Sequence, residues 1–378
     1  MKKYLVLLLF CMTTAVNPGM AQLKTLKKII SSESDSTRSS SFLPLPAVSY
    51  SQETGFEFGL ITLYSFYTDR KDLFTHNSSI SAIASFTTKK QSNFKLSTDI
   101  WAPQNRYHYL GELRYKDFPF NFYGVGNKTN KADEDKITQK LFKIGGGIEK
   151  LFSRKFYAGI SSSFEQYSFT DQETGGIFTV PNPFILDRDG GRVLFVGVSQ
   201  ISDSRNTNTY TTNGAYLKLN FSYAPDVFGG DNFSGSLFKL DFRNFKSYND
   251  KMVLGIQLMY QLLQGGNAPF YLLPQLGNDQ MMRGYYTGRY RDKNLLAAQA
   301  EFRYRFIPKL GAVAFLGAGN VYNSRLRIAD FKPTSGVGAR YFFDVDRGLS
   351  IRLDYGIGEK RPGEERQKGF YIGLAEAF

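Results

Sequence analysis

Apolar and polar residues alternate at period two along most of the chain. In LLAAQAEFRYRF (295–306), Leu296, Ala298, Ala300, Phe302, Tyr304 and Phe306 share one face. Ala297, Gln299, Glu301, Arg303 and Arg305 share the other. Phe238, Leu240 and Phe242 alternate with Lys239, Asp241 and Arg243. Leu217, Leu219, Phe221 and Tyr223 oppose Tyr216, Lys218, Asn220 and Ser222, and Leu254, Ile256, Leu258, Tyr260 and Leu262 form a further apolar row. Successive side chains of a strand point to opposite faces, so each row reads as a strand with one apolar and one polar side. A soluble sandwich with one wet face gives the same alternation. Strands of about ten residues or more, repeated along the whole chain, exceed the usual globular length and suit tilted strands crossing a bilayer.

The pattern predicts strands near 46–51, 55–68, 79–89, 92–102, 105–116, 136–152, 155–170, 192–203, 213–224, 233–246, 251–264, 293–307, 311–322, 334–343, 349–357 and 368–378. An even total is the rule for bacterial single-chain barrels. With the N-terminal segment in the periplasm, odd-numbered connections face outward. The longest connections, 117–135, 171–191 and 265–292, are the fifth, seventh and eleventh. The tight links Ala102-Pro103-Gln104, Ser153-Arg154 and Pro308-Lys309-Leu310 are all even-numbered. Long loops outside and short turns inside are the barrel arrangement. The expected fold is therefore all-β, a transmembrane antiparallel β-barrel of about 16 strands.

Composition sharpens this. The chain holds 34 Phe and 24 Tyr but one Trp, an aromatic excess suited to girdles at a membrane interface. A net charge of +13 would also suit nucleic acid. The N-terminus argues otherwise. Met1-Lys2-Lys3, the apolar stretch YLVLLLFCMTTAV and Gly19-Met20-Ala21 before Gln22 form a secretory signal peptide, residues 1–21. Phe10 is too bulky for lipid attachment at Cys11, and cleavage after Ala21 removes the chain's one cysteine. Disulfides are then not what stabilises the mature protein. Residues 22–43 are Ser-rich and read as a short periplasmic tail, too few to fold alone. The outer-membrane barrel is expected over 44–378. Lumen arginines outside the reach of water, together with outer-membrane lipid and lipopolysaccharide phosphates, account for the basic excess without nucleic acid.

One segment is unlike its flanking strands. LGNDQMMRGYYTGRYRDKN (276–294), followed by AEFRYRF and AFLGAGNVY, resembles the BamA/TamA superfamily of outer-membrane assembly and secretion barrels. Members carry an Arg-Gly-aromatic motif in the sixth extracellular loop, matched here by Arg283-Gly284-Tyr285. PLPAVSYSQETGFEFG (44–59), Tyr123-Gly124-Val125-Gly126-Asn127, Asp203-Ser204-Arg205-Asn206 and Ile351-Arg352-Leu353-Asp354-Tyr355-Gly356 extend the resemblance from about Pro44 to Phe378. It implies that the 265–292 loop folds into the lumen and that its arginine meets the inner wall, with Glu301 matching the family glutamate. A second family carboxylate would fall at Gly317 and is absent; Asp354, or failing it Asp241, is the substitute.

The residue chemistry gives the same loop a role. A guanidinium cut off from water needs an acidic partner. Glu301 is on the polar face of the following strand, placed for a bidentate pair with Arg283. Gly284 permits a sharp turn or a close approach to the wall, and Tyr285 and Tyr286 can stack and hydrogen-bond there. The same contact serves a static brace or a working part of insertion.

The resemblance also marks a lateral seam between a short first strand, Ala47–Ser51, and a last strand, Lys368–Phe378, with Val48, Tyr50, Gly373 and Phe378 along it. A short strand leaves few ladder bonds. Gly373 and Phe378 fit a barrel chain end, whereas Glu376 stands where an apolar residue is expected. Residues 22–43 cannot hold a POTRA domain, which implies a POTRA-bearing or lipoprotein partner that brings client proteins. Enzymatic readings find little support: only His76, in a predicted periplasmic turn, and His108, expected at the membrane interface, are available. No cofactor or metal is expected, since Asp133-Glu134-Asp135 lacks the glycine turn of a calcium loop. GGGIEK and GVGN have no following helix to complete a phosphate site. The expected function is assistance in inserting or translocating proteins, or lipids, at the outer membrane; the alternative is a plugged or passive pore or a structural surface barrel.

Overall fold

A computed structural model describes residues 38–378 apart from Gln52, Glu53, Leu73, Glu173, Phe184, Asp231, Asp346 and Arg347. The expected signal peptide and most of the expected tail lie outside the described residues. The strands are β1 (Ser41–Ser51), β2 (Gly55–Phe66), β3 (Ser78–Thr87), β4 (Ser92–Trp101), β5 (Tyr107–Phe122), β6 (Asp135–Ser153), β7 (Phe156–Thr170) and β8 (Gly190–Asp203). They continue as β9 (Gly214–Ala224), β10 (Gly235–Ser247), β11 (Met252–Gln264), β12 (Asn294–Ile307), β13 (Leu310–Tyr322), β14 (Lys332–Asp344), β15 (Leu349–Ile357) and β16 (Lys368–Leu374). Each pairs antiparallel with its sequence neighbours and β16 returns to β1, closing a 16-strand barrel.

The alternating rows explain the orientation of the wall. Ile160, Val196, Phe221, Phe302 and Leu316 stand exposed on the outside, while Gln299, Glu301 and Arg303 are buried inside. Apolar groups outside and polar groups inside suit a barrel whose exterior solvent is lipid, and closure leaves every strand a partner.

Among the strands that differ from expectation in length are β1 and β5, both longer. β1 begins at Ser41, inside the segment read as tail, and pairs along its whole length with β2. β5 runs to Phe122 through residues expected as loop. Pro119 would ordinarily argue against a strand there. The last β4–β5 pair is Ser92 with Asp117, so beyond it β5 has outgrown β4. The Pro119 carbonyl accepts from the Gln91 side chain (2.8 Å), on the side away from β6. The missing N–H faces the same way, and the β6 ladder is unaffected.

The lumen is packed from the long-loop end. Phe122, Phe169, Phe178 and Phe270 form an aromatic cluster there. Beneath it, Leu276, Met281, Met282, Tyr285 and Tyr290 of the loop between β11 and β12 pack on Leu295 and Ala297 of β12. That loop, residues 265–293, contributes to both clusters.

Candidate functional site

The loop enters the barrel on a two-residue ladder, Gln275–Leu276 against Tyr290–Arg291. Asn278 then fixes its descending arm, its side-chain oxygen accepting from the Gln280 and Met281 amides at 2.7 Å each. At the tip, Gly284 has φ +106°, a region L side chains avoid. It also lies against another glycine. A Cβ on Gly284 would come 2.9 Å from the Gly356 carbonyl carbon, and a Cβ on Gly356 would come 2.6 Å from that of Arg283. Two absent side chains thus let the loop backbone touch β15. The Gly284 amide donates to the Tyr371 hydroxyl (2.9 Å), and the Thr334 hydroxyl donates to the Arg283 carbonyl. The Tyr285 hydroxyl donates to the Pro333 carbonyl (2.6 Å) and accepts from the Glu359 amide (2.8 Å). Burial, and then the Glu359 carboxylate it donates to, leave the Tyr290 hydroxyl pushed up to about 12, so it remains a donor.

This backbone contact delivers Arg283 to the inner wall, where it is fully buried. Nη2 donates to Glu301 Oε2 at 2.6 Å and Nη1 to Asp354 Oδ2 at 2.7 Å. The guanidinium lies 3.5 Å above the centroid of Phe315. The expected bidentate grip on Glu301 is instead divided between two strands, β12 and β15. Gly317 carries no acid, and Phe315, two residues away on the same β13 face, supplies an aromatic floor. Gly336 of β14 makes room for it, since a Cβ there would lie 2.3 Å from the Phe315 ring.

Three further arginines surround the pair. Arg303 donates to Glu301 (2.9 Å); Arg340 (2.6 Å) and Arg352 (3.1 Å) donate to Asp354. Arg340 also holds Glu376 (2.8 Å), and Arg352 also holds Asp279 of the loop. Four guanidinium groups therefore face four carboxylates in one connected network. Of these eight, the sequence marks Arg283, Glu301 and Asp354 as partners, and Glu376 only as an acid where an apolar residue is expected. A signal for two others was present: Arg303 follows Glu301 by two residues and Arg352 precedes Asp354 by two, so each shares its partner's strand face.

Residues 72–378 match the Omp85 superfamily domain. The chain belongs to the Omp85 superfamily. As an Omp85 barrel it is a protein of the bacterial outer membrane. Comparison with curated proteins gives no match. Among solved structures the Omp85 barrel is similar to BamA from Haemophilus ducreyi lacking POTRA domains 1–3. The TM-score is 0.60 at 12% identity, covering 89% of this chain and 70% of that one. It is also similar to CdiB from Acinetobacter baumannii (TM-score 0.56, 13% identity, 89% of this chain, 60% of that one). CdiB from Escherichia coli gives 0.58 at 12% identity, with 88% of this chain and 62% of that one. These likenesses are of fold, and the chain spans about three fifths of the CdiB chains.

Other residues singled out in the Omp85 barrel lie elsewhere. Asp241 is held by Arg243 (2.6 Å) and by the Gln257 amide (2.9 Å). It belongs to β10, a wall the loop tip does not grip, so its expected place as a substitute partner of Arg283 is corrected. At the seam, Val48 is 55% exposed on the outer face, and Tyr50 sits opposite Ile372 with its ring 5.9 Å from Phe370. Gly373 pairs with Arg352 of β15, and a Cβ there would lie 3.0 Å from Arg352 Nε.

Phe378 is not a seam residue. β16 ends at Leu374, Ala375 adopts φ +63°, and the chain turns into the lumen. The Phe378 ring packs 5.8 Å from Phe245, and its carbonyl accepts from Arg303 (2.7 Å). The reason for a thin seam also changes. β1 has 11 residues rather than five, yet among the described residues Tyr50–Ile372 is its one paired position with β16. With that register, Ser41–Ala47 run past the end of β16.

His108, expected at the membrane interface, points inward. Its Nδ1 lies 2.9 Å from Glu149, its Nε2 3.0 Å from Asp99, and its ring stacks 3.7 Å from Trp101. Both nitrogens are occupied by carboxylates, which leaves neither to activate a nucleophile. In the acidic run, Glu134 accepts from Asn121 (2.8 Å) and Tyr123 (2.7 Å), while Asp135 is buried and accepts from the Phe178 amide (2.9 Å). No cluster of three metal-ligating side chains occurs among the described residues.

Proposed function

We propose that this Omp85 barrel assists insertion or translocation of proteins, or of lipids, at the outer membrane, with the β1–β16 seam as the working edge. The supporting observation is the seam itself. Among the described residues, one paired position joins β1 to β16, against seven between β15 and β16 and 11 between β1 and β2. A backbone hydrogen bond contributes about 0.5–1.5 kcal/mol net, so parting these two strands costs far less than parting any other pair. The freed β1 edge offers unpaired backbone groups to an incoming strand. Client proteins arrive through a POTRA-bearing or lipoprotein partner, and outer-membrane lipid and lipopolysaccharide surround the outer wall. The loop 265–293 braces the lumen with Arg283, and the barrel acts without enzymatic chemistry.

A disulfide across the seam tests this. Tyr50→Cys with Ile372→Cys, introduced into a strain lacking the gene, should fail to restore the abundance of other outer-membrane barrels until reductant is added. A locked seam that restores them fully would overturn the proposal. The fully buried arginine network favours a second reading, a static plugged pore. That reading expects barrel abundance to be unchanged by deleting the gene, and single-channel conductance to rise when the loop tip is removed.

A further inference from the structure

The last four residues, Ala375–Phe378, occupy a built site at the short-turn end of the lumen. The Ala375 amide donates to the Ser350 carbonyl (2.8 Å). Glu376 is buried against Arg340 (2.8 Å), with Arg303 at 4.0 Å. Phe378 packs on Phe245 and accepts from Arg303. Both arginines that hold this segment also hold a partner of Arg283: Arg303 grips Glu301, and Arg340 grips Asp354 beside Arg352. Arg283 itself touches neither Glu376 nor Phe378 in any of its hydrogen bonds.

We propose that residues 375–378 are a latch fastening β16 from inside the barrel, and that latch and loop tip stabilise each other through Arg303 and Arg340. The sign follows from charge. Arg283, Arg303, Arg340 and Arg352 share three buried carboxylates, Glu301, Asp354 and Glu376, while Asp279 on the loop is half exposed. Without Arg283, Glu301 and Asp354 each lose a cation and draw more strongly on Arg303 and Arg340, the two groups that also hold Glu376. Glu301 and Asp354 are fixed on strands and keep their arginines. Glu376, on a four-residue segment beyond the end of β16, is the group that can leave. Removing the Glu376 charge frees Arg303 and Arg340, which then draw Glu301 and Asp354 away from Arg283. The loop tip is the element free to move. A strand with almost no ladder to β1 is thus held by ionic anchors to β12 and β14, and those anchors report whether the loop is seated. The inference rests on the lumen geometry and holds whether or not clients use the seam.

Hydrogen–deuterium exchange of the intact barrel in detergent micelles, read by mass spectrometry, tests it without any assembly readout. The reporters are the amides of 375–378 and of 281–286, where Ala375 and Gly284 are hydrogen-bonded. In Arg283→Ala the 375–378 segment should exchange on the order of tenfold faster. In Glu376→Gln the 281–286 segment should accelerate by a similar factor, because coupling between two equilibria is reciprocal. The double variant should show less than the product of the two effects. A single variant that runs as a folded barrel on an unheated gel, yet leaves the distant segment at the wild-type rate, overturns the proposal. If Arg283→Ala does not fold, Glu376→Gln decides alone, since it reads the loop in a protein with the native tip.

Discussion

The wall from β12 to β15 and the seam between β16 and β1 are built from the same kind of strand and held in opposite ways. Among the described residues β12 and β13 share 13 paired positions, and β1 and β16 share one. The wall is also tied across the lumen, because Arg283 links β12 to β15 through Glu301 and Asp354. The seam has an outward ring contact, Tyr50 with Phe370, and the inward latch. The comparison teaches that closure of a barrel sets no uniform stability around it. Register decides how much ladder each pair receives, and side chains in the lumen make up the difference where they can.

The largest expected effect breaks the strong side. Arg283→Ala leaves Glu301 and Asp354 buried with one fewer cation, a change that typically costs about 3–5 kcal/mol. The midpoint for loss of the compact band on heating in detergent should fall clearly below that of wild type, bringing the wall closer to the seam in stability. A midpoint equal to wild type would mean that the loop does not hold the wall. The smallest expected effect is a control on the same kind of chemistry. Asp241→Asn disturbs a pair with Arg243 whose side chains keep 23–24% exposure, and such pairs contribute about 0–1 kcal/mol. Its midpoint should stay close to wild type. A loss matching that of Arg283→Ala would place Asp241 in the brace after all.

Much of the strong side was legible from local pattern. Period-two alternation places Glu301 inward on the strand after the loop, and Arg283 is the cation beside a glycine that can approach a wall. Strand parity likewise told long loops from short turns. What was not legible depends on distant partners. The extent of the seam follows from Tyr50 standing opposite Ile372, a register no single strand encodes. The inward turn after Leu374 needs Ala375 in a left-handed conformation, uncommon for alanine, and is held by Arg340 from another strand. For that reason Glu376 looked like a misplaced acid within a final strand, and Phe378 looked like the end of it. The extension of β5 past Lys116 is likewise hidden, since Pro119 is tolerated on a free strand edge and that edge appears only when the length of β4 is known.

Amide exchange across the whole native barrel compares the two regions most directly. The expected result is fast exchange over Ser41–Ala47 and β16, and the slowest exchange over β12 and β13, with a contrast of several orders of magnitude in rate. Equal protection at the seam and at β12–β13 would contradict the claim that this Omp85 barrel is closed by a weak seam set against a braced wall.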